Sequence, residues 1–227
     1  MDVVCQFEGD PHSQLRLLRA VKNRFGSVDE VGCFQLVDAG IESVADPSGL
    51  FLSRELAHVA GTCATITVDG KRPLPAEIQA LVAPSVLSNP RRATSGIDSS
   101  RTAMILAVLH RRVGFAVAAD DVYVSTIGGA RVLEPAADVA LALALASARS
   151  DRPVRQGWCA VGEVALSGAV RPVSALAQRV AEAARLGFTD VVVPVTGRPV
   201  QAPAGVTLHP VEQLAQAVQA ALVPASR

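Results

Sequence analysis

The 227-residue chain is half hydrophobic and carries 21 basic and 21 acidic residues, so its formal net charge is zero. That balance excludes a disordered chain, and it excludes a polycation that coats nucleic acid through overall charge. Any anion site must come from a local cluster, and with 19 Arg against 2 Lys such a cluster would offer forked, planar donors suited to phosphate.

Residues 3–7 (VVCQF) read as a buried-type strand and EGDPHS as a turn. QLRLLRAVKNR fits helix or strand. As a strand it would put Leu15, Leu17 and Val21 on one face and Lys22 with Arg24 on the other. VGCFQLV and IESV, separated by DAG, read as a hairpin. DPSGLFLSREL then reads as a turn and connector.

The character changes at residues 58–61. TCATITVDGKRPLPAEIQALVAPS predicts two strands joined at Asp69-Gly70, and NPRRATSG (89–96) a polar, basic loop. A helix is expected over 99–113, with Met104, Ile105, Val108 and Leu109 on its apolar side and Arg101, Arg111 and Arg112 outside it. Asp98 and Asp120-Asp121 are candidate caps or pairing groups. DDVYVSTIGG reads as a strand, and Pro135 opens a helix over 136–149 that is apolar nearly all round and therefore buried. A hairpin (GEVALSGAVRPV), an amphipathic helix closed by Gly187, a buried strand (TDVVVPV) and a last helix (VEQLAQAVQAAL) follow.

Cys5, Cys33, Cys63 and Cys159 are widely spaced with no CxxC pair, which points to reduced, buried thiols in a cytoplasmic protein. The start, MDVVCQFEGD, has no basic or apolar leader pattern. The longest apolar run, 139–148, is well short of the ~20 residues of a membrane span, so no membrane partner is expected.

FEGD (7–10), LRAVKNRFGS (18–27), DPSGLF (46–51), EIQALV (77–82), NPRR (89–92), GID (96–98), EPAAD (134–138) and GEVALSGAVRPV (162–173) resemble, in their order, the RadA (Sms) family of bacterial recombination and DNA-repair ATPases. The resemblance covers essentially the whole chain. It implies an α/β (α+β) architecture: residues 1–58 as the last strands of a RecA-like ATPase core, and residues 59–227 as a Lon-protease-like domain of the ribosomal protein S5 domain 2-like type. It also implies a C-terminal fragment of an ATP-dependent branch-migration motor for homologous recombination. Neither a GxxxxGK[ST] loop nor zinc-spaced cysteines occur here. ATP, Mg2+ and a zinc finger are thus expected of the parent and not of this chain, and the parent is the expected hydrolase.

The Lon-like resemblance places Ala136 where the protease family has its serine and Ala177 where it has its lysine. A methyl group neither attacks a carbonyl nor accepts a proton. Ser125, Ser167 and Ser174 are no substitutes, since no lysine follows Lys71 and Arg stays protonated. His209, before Pro210 in an expected loop, reads as a surface residue. A pseudo-protease is therefore expected.

Lys22 and Arg24 alone would read as a solvated strand end. The resemblance implies a catalytic, trans-acting role on the neighbouring subunit's nucleotide, with Asn23, Phe25 and Gly26 shaping the loop and Phe25 packed. Arg91, Arg92, Lys71 and Arg72 sit in Pro-bounded or tight turns and are candidate DNA-phosphate contacts. Single- or double-stranded DNA, a homo-oligomer such as a hexameric ring, and a recombinase such as RecA are the implied partners. The rival readings are an oligomerisation domain without DNA contact and a Lon-type Ser-Lys peptidase.

Overall fold

The computed structural model describes residues 2–9, 15–26, 28, 31–44, 52, 59–70, 72–86, 88–117, 119–127 and 130–224. The expected boundary at residue 58, the DPSGLF segment and Lys71 fall outside or at the edge of them.

The ambiguous early stretch is a strand. β1 (Val3–Glu8), β2 (Leu15–Asn23), β3 (Val31–Val37) and β4 (Gly40–Ser43) form an antiparallel meander in that spatial order. The expected alternation along β2 breaks near its end. Cys5 pairs with Ala20 but Val4 pairs with Lys22, so Val21 is an extra residue in a bulge. A bulge reverses which face each following side chain takes. Leu17 accordingly packs with buried Cys33 and Leu74, while Val21 faces solvent.

β5 (Thr62–Asp69) and β6 (Arg72–Pro84) form the expected antiparallel pair around Gly70. They open a seven-stranded mixed sheet completed by β7 (Arg92–Ser95), β8 (Asp120–Thr126), β9 (Trp158–Ala160), β12 (Asp190–Pro194) and β13 (Thr207–Val211). A small ribbon of β10 (Glu163–Val164) and β11 (Val170–Arg171) stands apart, and the large sheet runs β13-β12-β9-β5-β6-β8-β7. Two sequence expectations are corrected here. Residues 92–95 are an edge strand parallel to β8 and not a loop. His209 lies in β13, its ring stacked on Trp158 at 4.1 Å and its Nε2 2.7 Å from Asp190 Oδ1.

Among the described residues, four helices cover the sheet. α1 (Ser99–Val108) continues into a π-helical turn, Leu109–Val113. Asp98 caps it by accepting the Arg101 backbone N–H at 2.7 Å. Its inner side is Ile105, Leu106, Val108 and Leu109, whereas Met104 is 40% exposed. α2 (Asp138–Ser150) follows a 3-10 turn at Pro135–Ala137 and is buried continuously over its first ten residues. Full burial of Leu143 and Leu145 contributes roughly 1.5–3 kcal/mol each. α3 (Leu176–Arg185) and α4 (Leu214–Ala221) complete the set.

Strand alternation assigns the two faces. Cys63, Ile78, Ala160 and Val192 point toward α1, α2 and α4. Ala64, Ile66, Cys159 and Val191 point toward α3 and Phe188. Three of the four cysteines are buried as expected, but Cys5 is exposed. The two sheets meet through a narrow joint: Arg19 pairs with Asp69 and, at 2.8 Å, with Glu8, and Arg72 donates to the Val31 carbonyl at 3.1 Å. No described helix is long and apolar enough to cross a membrane.

Candidate functional sites: a sealed dyad position and an exposed cationic turn

Ala136 lies buried in the 3-10 turn that starts α2, and its carbonyl accepts the Gly162 N–H at 2.8 Å. Ala177 lies exposed on the first turn of α3. Between the elements that carry them sits a feature the sequence reading missed. Arg179 of α3 is 0% exposed and grips Glu134 with two guanidinium nitrogens at 2.6 and 2.7 Å. It also donates to the carbonyls of Ile66 at 2.6 Å and Ser174 at 3.0 Å. Glu134 Oε1 in turn accepts the Val68 N–H at 2.9 Å.

The geometry has a topological cause. β9 pairs with β5 only at Ala64, so β9 does not reach the edge of β5 at 66–68. The ion pair satisfies that edge with side chains. A charge on the apolar stripe of α3, between Leu176, Val180 and Ala183, was the available signal: such a position tolerates Arg only when a partner waits inside. Both 136 and 177 are alanines, which offer neither a nucleophile nor a base.

A buried carboxylate lies close by. Asp138 begins α2 and receives Arg101 through two nitrogens, one at 2.6 Å, and the Val164 N–H at 2.9 Å. Arg101 is therefore an internal clamp and does not stand outside the helix as the sequence pattern implied. Burial pushes the Asp138 carboxyl above its usual range, opposed by the Arg101 and Val164 bonds.

The 22–26 segment forms a turn at the far end of β2. Asn23 Oδ1 accepts the Phe25 N–H at 3.0 Å, a local Asx turn, and the Arg24 N–H donates to the Asp2 carbonyl at 2.9 Å. Lys22, Arg24, Phe25 and Gly26 are exposed; Arg24 makes only a long, exposed pair with Asp2 at 3.4 Å. Phe25, expected to pack, is 78% exposed. The turn presents two cations and an aromatic ring outward on a backbone that is locally pinned.

Arg91 and Arg92 lie together at the start of β7. Arg91 is exposed, and its N–H donates to Asp121 Oδ1 at 2.7 Å, which holds that carboxyl below its usual range. The Arg92 guanidinium donates to the carbonyls of Asp120 and, at 2.9 Å, Val117. Arg72 lies at the joint between the sheets, away from both. Among the described residues no group of three or more His, Cys, Asp or Glu side chains is placed to hold a metal ion. Among the described residues no loop has the glycine-rich phosphate pattern.

Residues 116–224 match the family described as the Lon protease (S16) C-terminal proteolytic domain, and the mixed sheet with helices on both faces is an α/β fold of that kind. The DNA repair protein RadA of Mycolicibacterium smegmatis is 53% identical over 96% of this chain and 46% of its own length. The RadA proteins of Pseudomonas aeruginosa (46% identity, 97% of this chain, 49% of the relative) and Escherichia coli (42%, 96% and 47%) are similar in the same way. The chain thus spans about half the length of the curated relatives it matches. With identities of this size along nearly all of its residues, the chain belongs to the RadA family, and its residues 116–224 form a Lon-like domain.

Proposed function

We propose that this chain serves DNA repair as the non-proteolytic, ring-forming part of an ATP-driven branch-migration motor. Its 22–26 turn reaches the nucleotide held, with its Mg2+, by the neighbouring subunit. The observation that supports this is the exposure of Lys22 and Arg24 on a turn pinned by Asn23 and Asp2, at the end of a sheet braced against the Lon-like domain. Cations presented in that way stabilise charge developing on a transferred phosphoryl group in trans. Arg91, with Arg92, Lys71 and Arg72, supplies the phosphate contacts to DNA, multiplied around the ring. A recombinase of the RecA kind is the partner that such a motor serves.

The test is ATP turnover by the full-length protein carrying Lys22→Ala or Arg24→Ala, with oligomeric mass measured alongside. The expected result is a fall in kcat of roughly 10³-fold or more, the range for trans-acting cations, with the assembly and the KM for ATP retained. Unchanged kcat in both variants overturns the trans role. For DNA, fluorescence anisotropy of a labelled duplex over a salt series should show binding that weakens in Arg91→Ala. Equal binding by both proteins leaves an assembly scaffold without DNA contact of its own.

A further inference from the structure

β7 is the last strand of the large sheet, and among the described residues it pairs with β8 on one side only. Beside it, between the edge and α1, opens a cleft of about 280 Å3. Its floor is Val117 and Val122, and its wall is the small-residue side of α1, Ala103 and Ala107, with Leu106 at the base. Arg92 and His110 also line it. Neither the dyad position nor the 22–26 turn contributes to it.

The geometry points to this edge and cleft as a docking site for an extended acidic peptide, which adds to β7 as a further strand and places an aliphatic side chain beneath α1. Three observations carry it. The main-chain edge of β7 supplies the backbone pairing that strand addition uses, with specificity left to alternate side chains. A cleft this size lies at the lower end of the ~300–1,000 Å3 range for small-molecule pockets, so it suits one or two aliphatic side chains. Ala103 and Ala107, four residues apart on one helix face, leave the room for them.

Charge selects the peptide. Arg91 and Arg111, the chain neighbours of Arg92 and His110 in the lining, are exposed. Of the carboxylates nearby, Asp120 is 2.8 Å from Arg149 and only 10% exposed, leaving Asp121 as the acidic group on the rim. The rim is therefore cationic, and a neighbouring strand that carries Glu or Asp on its outward positions is favoured over a basic one. A short, charged edge strand also resists indiscriminate pairing, so affinity must come from the cleft as well as from the backbone.

The experiment uses the whole chain and a fluorescein-labelled, acetylated peptide Asp-Glu-Val-Glu-Val-Glu-Asp, whose valines share one face. A second peptide has Lys at every acidic position. Anisotropy should give saturable binding of the acidic peptide, at least tenfold weaker for the Lys peptide and at least tenfold weaker in Ala107→Phe, which fills the cleft from an exposed position. Reversal of the charge beside His110 by Arg111→Glu should weaken it several-fold, with both variants melting within a few degrees of the parent. Amides of residues 92–95 should gain hydrogen-exchange protection on binding. Equal affinity for the two peptides, full affinity in Ala107→Phe, or protection elsewhere overturns the proposal. So does a concentration-dependent dimer that Ala107→Phe abolishes, since the cleft then belongs to a second copy. Displacement of the acidic peptide by duplex DNA in Ala107→Phe as readily as in the parent also overturns it, assigning the arginines to DNA alone.

Discussion

Arg179 and Glu134 form a two-pronged ion pair that stands at the edge of β5 and bonds its backbone at Ile66 and Val68. The pair lies beside Ala136 in the same part of the fold. The residues that would have supplied chemistry are methyl groups, and the strand edge next to them is occupied by side chains. The two alanines and the occupied strand edge thus lie in one part of the fold.

Glu134→Ala should lower stability by about 3 kcal/mol, because it strands a fully buried guanidinium. For a chain of this size that corresponds to a fall in Tm of roughly 6–12 °C. The double change Glu134→Ala with Arg179→Met, which removes the charge and keeps an apolar stem, should lose less than Glu134→Ala alone. Thermal melting of the four proteins in the cycle measures the coupling.

Restoring the hydroxyl and the amine should not restore hydrolysis. Ala136→Ser combined with Ala177→Lys rebuilds a candidate nucleophile and base, yet Ile66 and Val68 remain bonded to Arg179 and Glu134 and offer no edge to an extended substrate. Fluorescent casein should be left intact by the double variant. Measurable turnover would show that the pair is no barrier.

Under native conditions one thiol of four should react rapidly with iodoacetamide, that of Cys5. Burial pushes the Cys63 and Cys159 thiols far above their ordinary value of 9.0, and Cys33 up as well, so little thiolate exists to react. The same shifts set an alkaline limit. Above about pH 9 the unfolded chain releases protons that the folded chain retains, so stability falls as pH rises, by roughly 1.4 kcal/mol per pH unit per buried thiol. Mass spectrometry of the alkylated protein and urea melts from pH 8 to 10 test both statements. Cys63→Ala should flatten the pH slope even as it lowers stability through the cavity it leaves.

Gly61→Ala should destabilise by roughly 2 kcal/mol or more. Gly61 has φ +95°, and an added Cβ would come within 2.3 Å of the Ala80 carbonyl oxygen. The same residue also ties β5 to α2, since its N–H donates to Ser147 Oγ at 2.9 Å and its carbonyl accepts the Ala80 N–H at 2.7 Å. Urea unfolding gives the value directly; a change below about 0.5 kcal/mol would mean that the backbone relaxes.

The sequence by itself determined the features whose causes are local. The Asp69-Gly70 turn between β-branched runs, the all-apolar helix after Pro135 and the amphipathic α3 ending at Gly187 were all legible there, because each depends on neighbours a few residues away. Tertiary structure decided the rest. Residues 92–95 became a strand only because β8 offered an edge; His209 left its expected loop because Trp158 and Asp190 stand on neighbouring strands. The bulge at Val21 came from pairing with β1. Arg179 and Arg101 turned inward because Glu134 and Asp138, 45 and 37 residues away, meet them in space. A buried charge is stable only beside its partner, and no local pattern announces where a distant partner will lie.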